Sequence, residues 1–204
     1  MNTAADLISF MGDNVSFEGS SIKVVEDSEK LPPKAYHTSK RQDYETPPEL
    51  IAFIHKVMGY EIVVDVCATK ETRKVLEYLG PDHENLELRD ALVLPWHKAC
   101  FFGANAWLWM NPPYKQIDKW VHKAVIELEM GARIIMLLPA RTDRPWFHAL
   151  CSLNPTIYFF RHRLTFEGEK NQAPFPSILV VMHPEEGVGK FGFISLKGQS
   201  YGEF

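Results

Sequence analysis

The chain predicts an α/β fold: a doubly wound domain with a largely parallel sheet and antiparallel strands at its C-terminal end. Three observations carry that expectation. Apolar runs of strand length stand at residues 62–64, 107–110, 134–138, 157–160 and 178–182. Polar, helix-compatible segments separate most of them, and after about residue 156 the runs follow one another over short connections. Strands that are apolar at every position need cover on both faces, and helices alternating with them provide it.

In chain order, residues 1–43 lack sustained periodicity and are rich in Ser, Asp, Glu and Lys, so they read as a flexible polar head with one short ordered piece at 22–25. Residues 44–204 then form a single domain. It opens at Thr46-Pro47-Pro48-Glu49, where Thr46 suits an N-cap, Pro47 the first helical position, and Glu49 completes a capping box. Leu50, Phe53, Ile54 and Val57 recur on one helical face, and Gly59 is placed to end the helix. Residues 69–79 and 116–130 are the clearest further helix-compatible stretches, the second with Ile117, Val121, Val125 and Leu128 on one side. Phe191-Gly192-Phe193-Ile194 reads as an added edge strand.

Charge narrows the function classes. The 204 residues carry 22 Lys and Arg against 26 Asp and Glu, a formal net charge of −4. The first 45 residues hold eight acids and five bases, which leaves the folded part close to neutral. This argues against a generally basic DNA coater and leaves room for an enzyme with its positive charge on one face. Residues 139–163 are such a concentration, with Arg141, Arg144, Arg161 and Arg163 against Asp143 alone. The 16 uncharged residues between Lys98 and Lys115 are too few, and too broken by Gly and Pro, to span a bilayer. No export signal opens the chain. Cys67, Cys100 and Cys151 are an odd, widely spaced set, which fits a reduced cytoplasmic setting, and neither they nor the scattered His residues have metal-ligand spacing.

Ligands of open α/β sheets bind beyond the carboxyl ends of the strands. One apolar run ends in Asp65-Val66-Cys67-Ala68 and another in Asn111-Pro112-Pro113-Tyr114. Asp65 alone reads equally well as a turn former. Two prolines straight after a buried strand are more telling, because they cannot continue the ladder and they freeze an extended loop at the ligand edge. Such a loop suits the amine of a heterocycle, whose lone pair is delocalised into the ring. The Asn111 side-chain oxygen and a backbone carbonyl held by proline can accept its two N–H groups and favour pyramidalisation. Tyr114 offers a face on which an extruded base can stack. Asparagine is no general base, so the site works by positioning.

Asn111-Pro112-Pro113-Tyr114 resembles the (D/N/S)-P-P-(Y/F/W) signature of S-adenosylmethionine-dependent amino-methyltransferases. The wider order is similar to the bacteriophage Dam-type DNA adenine-N6 methyltransferases: Tyr44-Glu45-Thr46-Pro47, Asp65 to Ala68, Asp90-Ala91-Leu92 with Trp96, the tetrapeptide with Trp120, Phe160-Arg161 through Phe166, and Ala173 through Ser177. The resemblance implies a Rossmann-like class I methyltransferase fold, with recognition loops inserted in residues 44–204. It implies an enzyme that transfers a methyl group from S-adenosylmethionine to N6 of a flipped adenine in double-stranded DNA, without a metal. It puts Asn111, Pro112, Pro113 and Tyr114 at the reaction and Thr46, Pro47, Asp65, Val66, Cys67, Ala68, Asp90 and Asn111 at the cofactor. Arg141, Arg144, Arg161, Arg163, Phe166 and Phe175 become DNA-binding candidates, although Phe166 reads equally well as core. The Gly-rich F-x-G-x-G loop of many methyltransferases is absent, and Asp65-Val66-Cys67-Ala68-Thr69 stands in its place. Neither Rossmann glycines nor a P-loop speaks for NAD or ATP. A phage-encoded protein of the host cytoplasm, monomeric or weakly dimeric, completes the expectation. The alternatives are an amino-methyltransferase of an RNA base or of protein glutamine, and a silent DNA-binding or anti-restriction module.

Overall fold

All five apolar runs are strands. The structure, a computed structural model, describes residues 44–96, 106–184 and 189–203. The expected head at 1–43, with its ordered piece at 22–25, lies outside the described residues, as does Cys100. In chain order the strands are β1 (Ile62–Asp65), β2 (Glu77–Tyr78), β3 (Trp107–Met110), β4 (Arg133–Pro139), β5 (Thr156–Phe160), β6 (Ser177–Met182), β7 (Phe191–Ser195) and β8 (Ser200–Glu203). The helices are α1 (Pro48–Phe53), which runs on as a π turn over Ile54–Met58, then α2 (Ile117–Glu129) and α3 (Pro145–Cys151).

The described strands form one eight-stranded sheet in the order β2-β1-β3-β4-β6-β5-β7-β8. The β2, β1, β3 and β4 strands pair in parallel, as do β5 and β7. Strand β6 runs antiparallel between β4 and β5, and β8 antiparallel along β7. This is the expected Rossmann-like arrangement with one refinement: β7 is an inner strand, and β8 is the edge.

Alternation along the strands builds two core layers. Leu108, Met110, Ile134, Met136 and Leu138 face α2 and α3 through Val121, Trp146 and Leu150. Trp107, Trp109, Ile135 and Leu137 face the other way, onto Leu50, Phe53 and Ile54 of α1 and onto Leu164 and Phe166. Gly59, with φ of 80°, ends the α1 π turn as expected, because only a residue without Cβ enters that left-handed region at little cost.

Two local expectations are corrected. The α1 helix begins one residue later than the capping box requires: Pro47 is the N-cap, Pro48 the first helical residue, and no side chain caps the helix. The Thr46 hydroxyl is spent on tertiary contacts instead. Residues 69–79 contain no helix. Thr69 and Thr72 bond each other's hydroxyls and backbone, and the Lys74 N–H donates to Asp65, so side chains compete with the helical ladder for the backbone. On the opposite face, the buried pair Lys123–Glu127 (2.6 Å) of α2 also receives the Trp96 backbone N–H at 2.8 Å, which anchors the chain leaving the site.

After β2 the backbone passes so close to the turn after β1 that a Cβ built on Gly80 would lie 1.7 Å from the Ala68 carbonyl oxygen. Backbone meets backbone there, and no side-chain rotation relieves it. Gly80→Ala is therefore expected to destabilise the protein by about 1–3 kcal/mol, read as a lower urea midpoint with an unchanged slope. An unaltered midpoint would refute this packing account.

Candidate functional site

Because β1 and β3 are parallel neighbours, Asp65 and Asn111 end on the same edge of the sheet. The pairing extends one residue beyond β1, since Val66 N donates to Trp109 O at 2.9 Å. A cavity of about 460 Å³ opens at this edge, within the size range of small-molecule sites. Thr46, Asp65, Val66, Cys67, Ala68 and Asp90 all line it, together with Asn111, Pro112 and Pro113. Pro47 is not among the residues that line it and is buried as the N-cap of α1.

Asp65 is only 4% exposed, and burial pushes its carboxyl up to about 6. Its oxygens accept from Cys67 N and Lys74 N, each at 3.2 Å, and those bonds together with the Lys74 charge offset part of the shift. Burial, then the Asp65 charge, holds the Cys67 thiol well above its ordinary range, which keeps it neutral. The Lys74 ammonium, also on the cavity wall, pairs with Glu167 and lies 3.9 Å from Glu45. One cation thus ties the turn after β1 to the segments on either side of it.

Asn111 is held with unusual definition. Its Nδ2 donates to the Tyr44 carbonyl at 2.6 Å and to Thr46 Oγ1 at 3.0 Å. A carbonyl can only accept, so the nitrogen must face Tyr44 and the oxygen must point the other way. That oxygen, Oδ1, is buried and has no hydrogen-bond partner among the described residues. A buried acceptor left unmade is costly, and here it belongs to a residue that lines the cavity. Next along the chain, Pro113 O accepts from Gln116 N at 3.0 Å and closes the proline loop into a short turn.

The aromatic residues depart from expectation. Tyr114 is 4% exposed and lies behind the cavity wall, not open to it. Tyr44 lies against it at 5.6 Å between ring centroids, and Phe175 meets it edge-on at 5.5 Å. Burial and nearby Tyr44 push its phenol far above the ordinary range, against a smaller pull from Arg141. Phe166, a DNA-contact candidate, is corrected to core: it is 2% exposed and packs on Tyr44 at 4.8 Å. Phe175 is half-buried in the same cluster.

Arg141 and Arg144 follow β4, and Arg161 and Arg163 follow β5, so all four leave the carboxyl ends of parallel-running strands on the Asn111 edge. Arg144, Arg161 and Arg163 are exposed and Arg141 half-buried. The Arg161 guanidinium lies 3.7 Å over the Phe193 ring. Sequence reasoning missed Lys74, Gly80 and the part Tyr44 plays through its carbonyl, and it gave Trp120 no role beyond its place after the tetrapeptide. Trp120 does line the cavity, and its buried indole N–H has no partner among the described residues. No pattern of residue types marks a backbone carbonyl as functional. Among the described residues, no group of His, Cys, Asp and Glu is gathered as a metal site needs, and no helix is long and apolar enough to cross a membrane.

The chain resembles known proteins across most of its length. A DNA N-6-adenine-methyltransferase of Escherichia phage T1 is 33% identical over 148 residues, which cover 72% of this chain and 56% of that protein. One from Haemophilus phage HP1 (strain HP1c1) is 23% identical over 168 residues, 78% of this chain and 89% of that one. The chain therefore spans little more than half the T1 protein's length. A modification subunit of a putative type I restriction enzyme from Vibrio vulnificus YJ016 aligns with 78% of this chain and 48% of its own, at 16% identity and a TM-score of 0.46. The sequence model of one family, DNA N-6-adenine-methyltransferase (Dam), matches residues 34–199, and with this match and the T1 identity the chain belongs to that family.

Proposed function

We propose that the protein is an S-adenosylmethionine-dependent DNA adenine-N6 methyltransferase acting on an adenine turned out of duplex DNA. The observation that carries this reading is Asn111 Oδ1, a buried acceptor without a partner among the described residues, fixed in direction on a residue that lines the cavity beside two prolines. An exocyclic amine is the group that would satisfy it.

The cavity suits the methyl donor. Asp65 at its floor offers a buried carboxylate for the ammonium of the methionine part, with Val66, Cys67 and Ala68 forming the turn beneath. Asp90, also on the cavity lining, would be an acceptor for the ribose, and its Oδ1 already takes Leu92 N at 3.1 Å. When bound, S-adenosylmethionine supplies a methyl group on a sulfonium, a leaving group that needs no further activation.

The residues of the chain do the rest by placement. Asn111 Oδ1 and the Pro112 carbonyl accept the two N6–H groups and turn the amine lone pair towards the methyl carbon. Positive charge developing on the amine would lie beside these two oxygens, which would stabilise it. The proton then leaves to water, since an amide has no useful basicity. Tyr44, which lines the cavity, is the ring the base meets, with Tyr114 packed behind it. The arginines of the β4 and β5 ends hold phosphates.

The direct test is incubation of the full chain with labelled S-adenosylmethionine and duplex DNA, followed by mapping of methylated bases. N6-methyladenine at one sequence context is expected, and label in RNA or protein but not in DNA would sink the reading. Asn111→Ala should lower the transfer rate by roughly 100-fold or more without unfolding the protein.

Asp65 gives a pH prediction. Its carboxyl is raised in the folded state, so its ionisation opposes folding above about pH 6, and the protein is relieved of that burden as pH falls. Asp65→Asn should therefore stabilise the free protein at pH 7–8, by at most about 3 kcal/mol, with the gain gone below about pH 4. The donor's ammonium favours the ionised carboxylate. Calorimetric affinity for S-adenosylmethionine should accordingly weaken as pH falls below about 6, and Asp65→Asn should flatten that dependence. For the arginines, Arg144→Ala and Arg163→Ala should weaken DNA binding on every sequence. Each should reduce the log–log salt slope by about 0.9 if its side chain holds a phosphate.

A further inference from the structure

We infer that Thr46 is a positioning residue: its hydroxyl oxygen clamps the Asn111 amide so that Oδ1 stays turned away from Tyr44 and Thr46, left to accept the amine. This rests on the reading of Asn111 as the amine acceptor. Thr46 is 2% exposed, and its Oγ1 accepts from two donors, Asn111 Nδ2 at 3.0 Å and Trp109 Nε1 at 3.2 Å. Both acceptor positions of the hydroxyl are therefore used within the protein. Thr46 lines the cavity, yet its side-chain oxygen is turned to the amide and the indole.

The clamp answers a specific weakness of asparagine. Rotation about its terminal torsion is broad and nearly two-fold, so an amide on a loop presents oxygen and nitrogen almost indifferently. The Tyr44 carbonyl excludes the flipped state, because it would place oxygen against oxygen. Thr46 engages the second Nδ2 proton and stops the amide from swinging about the Tyr44 bond. Trp109 sits two residues before Asn111 on the same chain segment, and its indole N–H holds the threonine oxygen in turn. The strand that delivers Asn111 thus also fixes the residue that orients it. A residue that precedes α1 and resembles a helix cap serves the reacting edge instead.

The experiment compares wild type, Thr46→Val and Thr46→Ser by three readouts. These are the single-turnover methylation rate on adenine-containing duplex DNA, the calorimetric Kd for S-adenosylmethionine, and the side-chain amide signals of Asn111 in ¹⁵N-labelled protein, assigned by their loss in Asn111→Ala. Thr46→Val is expected to lower the rate at least tenfold with the donor Kd changed less than twofold, and Thr46→Ser to stay within about threefold of wild type. Wild type and Thr46→Ser should show two well-separated, slowly exchanging amide protons, and Thr46→Val should lose that protection for one of them. The inference is overturned if Thr46→Val raises the Kd in step with the lost rate, if Thr46→Ser is as impaired as Thr46→Val, or if the wild-type amide exchanges freely. The last readout needs only wild type, so it decides the matter even where Thr46→Val does not fold. A wild type that shows the protected amide yet methylates no DNA would sink the proposed function and leave the clamp standing.

Discussion

The site depends on one constraint: a buried amide must satisfy its donors, and Asn111 does so with groups from a segment 65 and 67 residues earlier in the chain. Meeting that demand fixes much else. Residues 44–46 must run across the carboxyl edge of β3 before α1 begins, which places α1 on the face where Trp107 and Trp109 project. Trp109 must project to that face and not to the α2 face, so that its indole reaches Thr46. The two prolines keep the chain after Asn111 from relaxing into a longer strand, which would draw the amide into the ladder. The orphaned oxygen is what these restraints leave over. A fold that tolerates such a group close to its core holds a site whose unmade hydrogen bond a ligand can complete.

A second tension of the same kind lies under β1. Asp65 is buried deeply enough to resist ionisation, and Lys74, which also pairs with Glu167, offsets only part of that burial. Two terms compete there. Desolvation raises the carboxyl, and backbone N–H bonds with the Lys74 charge lower it; desolvation wins. Stability is thereby traded for a negative charge kept in a low-dielectric place, where a cation counts for more than it would at the surface.

The sheet was legible because five of its strands are apolar at nearly every position, and that pattern survives any detail of tertiary packing. Strand β7 was legible too, although as an edge, whereas β2 and β8 were not. Strand β2 is two residues long, and β8, Ser-Tyr-Gly-Glu, is an exposed edge that must not be apolar. Residues 69–79 have helical composition, yet their threonine hydroxyls and the Asp65 carboxylate capture the backbone first. At the site, Asp65, Asn111 and the prolines were legible because they interrupt apolar runs. Thr46 was picked out with the wrong partner, since a threonine before two prolines and a glutamate fits a cap equally well, and only the fold brings Trp109 and Asn111 to it. Phe166 illustrates the converse: Gly168, Asn171 and Gln172 nearby mark a loop, but the loop folds back and buries its aromatic.

The order of strands divides the labour along the edge. The β2, β1 and β3 ends surround the cavity, while the β4 and β5 ends, with the start of β6 between them, carry the four arginines and Phe175. Asn111 stands on the last strand of the first group, beside the first strand of the second. On the proposed reading, a methyl donor enters from one side of this seam and a base from the other, so the acceptor that orients the amine must sit where the two halves meet. The parallel β3–β4 pair is the one place in the sheet that meets this condition. Moving the same tetrapeptide to the end of β1 would set it inside the donor's half, and moving it to β4 would set it among the arginines. The position of Asn111 therefore follows from the topology as much as from its own chemistry.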